Sequence, residues 1–463
     1  HRILGITAFA AIVLFAVPLS ADELRPVTHE DVWTMNRLGT PAISPDGRSA
    51  VVSVKEPSYE EDGDVSDLWL IDVGGEKEPR RLTATKPGES DVAWRPDGGA
   101  IAFSAKRGDD EVSQVYVLDM TGPGEAVAVT SLSTGASNPV WSPDGSKIAF
   151  QSKVFPGAAD DEANKEEKKA REERKYNVSA YDIFPIRQWD NWRDDKQVHL
   201  FVQDAVADAE ATDLMAGSEL VDKPGFQGTP SLSGNGLNAA WTPDGESLLI
   251  NATVNLDQAA HTPVVYHLYR VSLEGGEPKQ VTDSADWSCT SPQFSADGKW
   301  LYCSVSPEND LVYNHNDLGR FKWKKRGTLG QPELLTAGFD RSPGDFDLSD
   351  DGETVYFTAA DAGRSRVFSV PASGGDVTML DPGSRGVYAG IQAAGGQLVA
   401  QWENSATPAE VVRVNPQGGH EALSAFNTER NAGVDMPAFR EIWFESSKGR
   451  RIHSWLALPP GFD

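Results

Sequence analysis

The chain has 463 residues, and its 69 acidic and 42 basic side chains give a formal charge of −27. Nucleic-acid phosphates would be repelled by such a surface, so the charge argues against a nucleic-acid-binding function. The length allows two or three ordinary domains or one large repeat architecture with a substantial core.

Residues 1–21 have the features of a secretory signal peptide. Arg2 precedes a long apolar run, and small residues lead up to Ala21. We expect cleavage after Ala21, a periplasmic or secreted protein, and no stable membrane association afterwards. An uncleaved N-terminal anchor is the alternative, because the run is just long enough for one. Since the sequence opens with His1, we expect it to be a fragment.

A Ser-Pro-Asp-Gly phrase is the recurring unit of the chain. In the copy after Trp141, Pro143 sets the backbone angle of a type I turn and Gly145 can take the left-handed conformation that follows. Apolar and β-branched residues flank the phrase on both sides. Each copy therefore predicts a β-hairpin.

The spacing of the copies indicates the architecture. Successive Asp-Gly aspartates are 51, 47, 100, 53 and 54 residues apart, and a period of about 40 to 50 residues is typical of propeller blades. The aspartates are Asp46, Asp97, Asp144, Asp244, Asp297 and Asp351. The sequence predicts an all-β fold, a seven-bladed β-propeller over residues 22–438. Eight blades are possible if the 100-residue step hides one.

In chain order, a capping box at 28–31 begins a short helix, and the blades follow. The blades that can be bounded are expected at 40–82, 91–130, 238–282, 288–336 and 345–380, with a degenerate seventh around 395–402. The long step carries a charged helical insertion near 156–180, with opposite charges three and four residues apart. A solvated helix or mobile arm is favoured there, and docking of a partner is the alternative.

A cluster of aromatic and charged residues follows the insertion. Arg187, Trp189, Asp190, Trp192 and Arg193 are the candidate substrate-binding residues. Arginine can bind a peptide carboxylate or carbonyl, and the rings can stack on side chains. Alternatively, the tryptophans only wedge between neighbouring blades while the charges face water.

The two cysteines, Cys289 and Cys303, flank the turn of the fifth blade. A disulfide is permitted in an exported protein. A register slip of one residue would place the thiols on opposite faces of the hairpin, so the pairing stays open.

Sequence features of other kinds of site are weak. The basic cluster at 322–326, with His315 before it, could attract an anion, but a solvated loop is favoured. The eight histidines are scattered without ligand spacing, so we expect no metal and no cofactor. This also disfavours a metal-dependent propeller enzyme.

From residue 439 the repeat stops. Strand-like residues at 440–446 and 451–458 surround a turn at 447–450, and Pro459-Pro460-Gly461 follows. The pattern predicts the opening hairpin of a further domain.

Three features together carry a resemblance. The Ser-Pro-Asp-Gly blades after a signal peptide, Arg-Gln-Trp-Asp-Asn-Trp at 187–192 and Leu-Pro-Pro-Gly-Phe-Asp at 458–463 resemble the prolyl oligopeptidase family of serine peptidases. Exported dipeptidyl-peptidases and acylaminoacyl-peptidases are the most similar members. The resemblance implies a propeller that restricts access of short peptides to an α/β-hydrolase domain. Residues 439–463 would be the truncated start of that domain.

The resemblance also implies a catalytic serine on a Gly-x-Ser-x-Gly turn, with an Asp and a His later in the chain. This sequence contains no such motif, so no catalytic residue is assigned and the chain alone is expected to be inactive. The predicted function is the gating part of a serine exopeptidase, with a peptide substrate and the hydrolase domain as partners. The alternative is a non-enzymatic periplasmic scaffold of the Tol-associated type, which would have no use for the terminal hairpin.

Overall fold

The computed structural model describes residues 24–60, 63–85, 88–176, 178–181, 185–231, 234–282, 284–309, 311, 313–437, 439–459 and 462. The expected signal peptide at 1–21 lies outside these ranges. None of the helices within them has both the length and the apolar character needed to cross a membrane.

In the described residues, seven antiparallel sheets follow one another along the chain, so the predicted seven-bladed β-propeller is confirmed. The innermost strand of blade 1 is split into two short pieces that both pair with the second strand. Blades 6 and 7 are joined by one parallel bridge between Ser365 and Val387. In the part of the 100-residue step that the structure describes, there is an insertion and no additional blade.

The first part of the chain forms three blades. Strand β1 (Arg25–Pro26) and helix α1 (His29–Trp33) precede the ring. Blade 1 consists of β2 (Arg37–Leu38), β3 (Ala42–Ile43), β4 (Ser49–Glu56), β5 (Val65–Asp72) and β6 (Arg80–Arg81). Blade 2 consists of β7 (Glu89–Trp94), β8 (Ala100–Ala105), β9 (Gln114–Asp119) and β10 (Val127–Ala128). Blade 3 begins with β11 (Ser137–Trp141) and β12 (Lys147–Val154), continues through an insertion with α2 (Asp161–Glu172), β13 (Arg187–Gln188) and β14 (Asn191–Trp192), and ends with β15 (Gln197–Asp204) and β16 (Thr212–Asp213).

The second part forms four more blades. The short strands β17 (Thr229–Ser231) and β18 (Gly234–Gly236) precede blade 4, which has β19 (Ala240–Trp241), β20 (Ser247–Ala252), a 3₁₀ turn at Leu256–Gln258, β21 (His267–Ser272) and β22 (Lys279–Gln280). Blade 5 has β23 (Trp287–Phe294), β24 (Trp300–Pro307), β25 (Asp317–Lys322) and β26 (Glu333–Leu334). Blade 6 has β27 (Pro343–Leu348), β28 (Thr354–Asp361), β29 (Arg364–Pro371) and β30 (Thr378–Met379). Blade 7 has β31 (Val387–Ala394), β32 (Gln397–Glu403), β33 (Glu410–Val414) and β34 (His420–Ala422), after which come β35 (Val434–Asp435), β36 (Phe439–Glu445) and β37 (Arg451–Ala457).

The Ser-Pro-Asp-Gly turns have the chemistry that their sequence predicts. The Gly145 N–H donates to Ser142 O at 2.8 Å, and Gly145 has a φ of +70°. The Ser142 hydroxyl donates to Asp144 Oδ1 at 2.6 Å, and this bond is the main reason that the pKa of Asp144 falls to about 2. Five of the six turns are held in this way by their own serine or threonine and aspartate. In blade 2, Arg95 takes the place of the hydroxyl residue, and its Nε donates to Asp97 Oδ1 at 2.7 Å. Each turn closes a hairpin between the first two strands of a blade.

The tryptophan before three of these turns joins neighbouring blades. The indole N–H of Trp94 donates to Ala42 O at 2.9 Å, that of Trp141 to Ala93 O at 3.1 Å, and that of Trp241 to Val140 O at 3.0 Å. In each case the acceptor belongs to the preceding blade. It is the residue just before the position that is equivalent to the tryptophan in the repeat. Three successive seams between blades thus share one side-chain-to-backbone bond.

Blades 7 and 1 close the ring through side chains and loops. Val399, Val411 and Leu423 of blade 7 belong to one buried cluster with residues of β3, β4 and β5. Gln401 Nε2 donates to Leu38 O at 3.0 Å, and β1 pairs in parallel with β35. The ends of the described ring are therefore held together without exchange of a blade strand.

The alternation of strands gives the ring two distinct faces. The hairpin turns between first and second strands form one face, called here the turn face. The connections between second and third strands form the opposite face, called the connection face. Their described residues fall within 57–60, 63–64, 106–113, 155–176, 178–181, 185–196, 253–266, 308–309, 311, 313–316, 362–363 and 404–409. The insertion of blade 3 therefore lies on the connection face.

Helix α2 of this insertion is attached to the ring. Asp161 Oδ1 accepts hydrogen bonds from the Ser133 hydroxyl and backbone N–H at 2.6 and 2.8 Å. Arg171 forms a two-bond ion pair with Asp195 at 2.6 and 2.7 Å. The polar surface of the helix thus serves in part to hold it on blades 2 and 3.

Candidate functional site

A cavity of about 1050 Å³ opens among the inner strands of blades 2 to 5. Its wall is rich in hydroxyl groups: Ser90, Ser104, Thr134, Ser137, Ser152, Thr229 and Thr290. First strands begin and second strands end on the connection face, so the cavity lies toward that face of the ring. Its volume is at the upper end of what ligand pockets have, which is enough for a short peptide.

Four wall residues of the cavity share an unusual backbone conformation. Asp91, Asn138, Asn238 and Ser291 have φ between +45° and +57°. In blades 2, 3 and 5 they coincide with a shift in strand register. Such a bulge turns the side chain away from the regular sheet, so these polar groups line the cavity.

Arg193 does not line this cavity, but it interacts electrostatically with Tyr266, which does. Its backbone N–H donates to Ile186 O at 3.1 Å, which returns the chain toward the ring after β14. Its guanidinium donates to Gln227 Oε1 at 2.7 Å, and Gln227 is fixed by two backbone bonds to Thr253. Within the described part of the chain, no carboxylate lies within 4.0 Å of this guanidinium.

The surroundings of Arg193 make it a partly desolvated cation. Burial lowers the pKa of Arg193, and the charge of Asp194 opposes this shift. Burial also raises the pKa of Tyr266, a wall residue of the cavity, and the charge of Arg193 opposes that shift. A ligand that reaches Tyr266 in the cavity would therefore lie near the positive charge of Arg193.

The other four candidate residues lie on the small hairpin formed by β13 and β14. Trp189 is at its tip, 90% exposed and with a φ of +53°, and Trp192 is 67% exposed with its ring 6.4 Å from that of Tyr181. Arg187 and Asp190 are also exposed. The structure therefore gathers four of the five residues on one exposed hairpin, whereas Arg193 is directed to Gln227 beside the cavity. The exposure of both indoles does not fit the alternative in which they wedge between blades.

The remaining candidates have structural roles. Cys289 and Cys303 form a disulfide within the hairpin of blade 5, with a Cα–Cα distance of 5.8 Å. Lys325 of the basic cluster pairs with Asp244 of blade 4 at 2.9 Å. Among the described residues, no group of three or more His, Cys, Asp or Glu is placed to hold a metal ion.

Strands β36 and β37 form a hairpin that contacts the connection face at blades 6 and 7. Arg364 pairs with Glu441 at 2.6 Å, and the Phe439 N–H donates to the Ser405 hydroxyl at 3.4 Å. The hairpin leaves Ile442, Phe444 and Leu456 exposed at 39%, 51% and 39%. An exposed apolar patch on a two-stranded hairpin is typical of a surface that another domain covers.

Sequence reasoning missed the cavity-lining residues, although a signal for them existed. A polar residue stands three positions before the aromatic or apolar residue of the repeat in all six copies: Thr40, Asp91, Asn138, Asn238, Ser291 and Asp345. Tyr266 and Gln227 lie outside the repeat, and only the folded ring brings them next to Arg193.

Comparison with known proteins supports the same interpretation of the fold. A family profile described as the TolB beta propeller domain matches residues 27–167. The dipeptidyl-peptidase 5 of Porphyromonas gingivalis is 24% identical over 457 residues, covering 94% of this chain and 61% of that protein. The dipeptidyl-peptidase 5 of Schizosaccharomyces pombe is 22% identical over 302 residues, covering 62% of this chain and 41% of that protein.

Two solved structures show a similar fold. An acylaminoacyl peptidase of Pyrococcus horikoshii superposes with a TM-score of 0.67 at 14% identity, covering 94% of this chain and 60% of that one. The β-propeller domain of the Trilobed protease from Pyrococcus furiosus gives a TM-score of 0.54 at 13% identity, covering 85% of this chain and 99% of that domain. The chain thus spans about three fifths of the P. gingivalis and P. horikoshii proteins and most of an isolated propeller.

Proposed function

Because the chain is a propeller related to those of dipeptidyl-peptidase 5 and the acylaminoacyl peptidases, in the prolyl oligopeptidase family, we propose that it is the gating part of a serine exopeptidase. The peptidase would be exported, to the periplasm or outside the cell, and would remove dipeptides or acylated residues from the N-terminal side of short peptides. The relationship extends over 94% of the chain.

The observation that carries this proposal is the concentration of features on one face. The cavity, Arg193, the exposed indoles and the β36–β37 hairpin all lie on the connection face. A hydrolase domain seated on the apolar side of the hairpin would face the cavity opening. Peptides would then reach the catalytic centre through or beside the ring, and folded proteins would be too large to enter.

The five candidate residues have distinct parts in this proposal. Arg193 binds a carboxylate or carbonyl of the peptide, because its charge is partly desolvated and acts on Tyr266 in the cavity wall. Trp189 and Trp192 stack on peptide side chains from the hairpin, while Arg187 and Asp190 contribute charge beside them.

The chemistry would belong to the hydrolase domain. This sequence contains no Gly-x-Ser-x-Gly motif, so its own side chains have no assigned catalytic part. The chain by itself is therefore expected to bind short peptides without hydrolysing them.

A binding experiment with the full 463-residue chain tests the role of Arg193. Titration with Ala-Ala-Ala, which has no aromatic side chain, should give a dissociation constant that Arg193→Ala raises by about tenfold, the usual scale for loss of a charge-assisted bond. Arg80→Ala, which removes an exposed arginine from the outer strand β6, is the matched control and should leave the constant unchanged. Equal binding by wild type and Arg193→Ala would refute the assignment.

A non-enzymatic scaffold is the second candidate, because residues 27–167 match the TolB profile. Labelling extracts of the source cells with a fluorophosphonate probe separates the two functions. A labelled protein that also reacts with antibody against this chain supports the peptidase. A protein that the antibody recognises but the probe does not label supports the scaffold.

A further inference from the structure

A second cavity, of about 910 Å³, lies between the β36–β37 hairpin and blades 6 and 7. It is called here the hairpin pocket. Three arginines line it, Arg364, Arg385 and Arg440, against the two glutamates Glu403 and Glu441. On a chain with a formal charge of −27, a pocket wall with more positive than negative side chains is a local exception.

Arg364 is built into the wall of the hairpin pocket. Its side chain is only 8% exposed, and one end of its guanidinium pairs with Glu441 at 2.6 Å. The guanidinium also lies 4.8 Å from the centroid of the Trp455 ring. Its Nε, however, is buried and has no hydrogen-bond partner among the described residues. This atom has no accessible surface and is out of reach of a ligand oxygen, so Arg364 acts on the pocket through its charge.

The floor of the hairpin pocket is rigid. Arg366 donates to the carbonyl oxygens of Asp381, Pro382 and Ser384 at 3.1 to 3.2 Å, which fixes the connection leading to Arg385. Arg385 itself is exposed and forms no ion pair within the described part of the chain. A pre-formed site therefore offers a second cation that is not neutralised by the protein.

We propose that the hairpin pocket binds a small molecule with one carboxylate on an aromatic body. The exposed Arg385 guanidinium receives the carboxylate, since arginine is suited to planar oxyanions, and the charge of Arg364 lies behind it in the pocket wall. Trp455 and Phe439, which also line the pocket, contact the aromatic body. This site is separate from the cavity at Arg193 and does not depend on the function proposed above.

Calorimetric titration of the full chain with N-acetylphenylalanine tests the proposal. We expect a dissociation constant on the order of 1 mM or lower. N-acetylphenylalaninamide, which lacks the carboxylate, should bind at least about tenfold more weakly. Such a ligand could be a free aromatic acid or the carboxyl end of a peptide, and phenylpropionate separates the two. If phenylpropionate binds, any aromatic acid suffices. If N-acetylphenylalanine binds and phenylpropionate does not, the ligand is the end of a peptide.

Variants locate the site. Arg385→Ala should weaken binding about tenfold, and Arg385→Lys should have a smaller effect because it keeps the charge without the planar fork. Arg430→Ala removes an exposed arginine outside the pocket and should change nothing. Absence of binding at about 10 mM ligand, equal binding of the amide, or unchanged binding by Arg385→Ala would each overturn the proposal.

Discussion

The seams between blades 1 to 4 and the seam between blades 6 and 7 join neighbouring inner strands by opposite chemistry. In the first group, a neutral indole N–H donates to a backbone carbonyl. In the second, side-chain carboxylates accept backbone N–H groups: Asp345 from Gly390 at 3.0 Å, Asp347 from Ala393 at 2.8 Å and Asp350 from Gly396 at 2.6 Å. One ring geometry is thus stabilised in two ways.

The difference has an energetic consequence. A neutral hydrogen bond contributes about 1 kcal/mol and one to a charged group about 1.5 to 3 kcal/mol, but a carboxylate must first lose part of its hydration. Burial raises the pKa of Asp347 to about 6, although the two backbone N–H bonds that it accepts act to lower it. The seam between blades 6 and 7 should therefore respond to pH near neutrality, and the tryptophan seams should not.

Trp141→Ala is expected to have the largest effect. Trp141 is 6% exposed within a buried cluster between blades 2 and 3, so its loss leaves a cavity and an unpaired Ala93 carbonyl. We expect the free energy of unfolding to fall by about 3 to 5 kcal/mol in urea denaturation. Trp189→Ala, at a tip that is 90% exposed, is the control and should stay within about 0.5 kcal/mol of wild type. Equal losses for the two variants would mean that the indole does not join the blades.

The sequence predicted what depends on neighbours along the chain. The turn at Asp144 follows from proline and glycine geometry, and the repeat of that turn leads to the blades. The helix at 161–172 follows from local propensity, with Asp160 as its N-cap. Each of these features is decided within about ten residues.

The contacts across the ring could not be predicted in this way. Trp241 and Val140 are far apart in sequence, and nothing local to the tryptophan names its acceptor. The sequence grouped Arg193 with Trp189 because they are four residues apart, whereas the structure turns Arg193 toward Gln227. Such pairings depend on how one blade is rotated against the next, which no single repeat encodes.

Blade 5 has no tryptophan at the repeat position, so its disulfide can be tested as a stabilising link of a different kind. Phe294 occupies the tryptophan position there, and the hairpin is braced by Cys289 and Cys303, 14 residues apart. Replacing both cysteines by alanine should lower the free energy of unfolding by about 3 kcal/mol, the value for a loop of that length. Dithiothreitol should destabilise the wild type by a similar amount and leave the double variant unchanged. A reductant effect on the double variant would show that the stabilisation has another origin.

The pH response of Asp347 tests the carboxylate seam. Its folded pKa, about 6, is above the unfolded value of 3.8, so the folded protein binds this proton more tightly. Stability from this group is then complete below pH 4 and is lost as the pH rises through 6. A shift of this size corresponds to at most about 3 kcal/mol, and less is expected because part of Asp347 remains accessible to water. The free energy of unfolding can be measured by urea denaturation from pH 4 to 7.5 for wild type and Asp347→Asn. The wild-type value minus the variant value should fall as the pH rises through 6 and level off at higher pH. A constant difference would contradict a titrating carboxylate at this seam.

Trp241→Phe isolates the hydrogen bond of a tryptophan seam and has the smallest expected effect. The ring still fills most of the space between blades 3 and 4, while the Val140 carbonyl loses the indole donor at 3.0 Å. We expect a loss of about 1 to 2 kcal/mol that is independent of pH between 5 and 8, because neither partner titrates. Phe294→Leu in blade 5 is the matched control for a change of ring volume, since no indole bond exists there to lose. If Trp241→Phe costs no more than Phe294→Leu, the indoles act by packing alone, and the contrast between the two kinds of seam reduces to the charge of the aspartates.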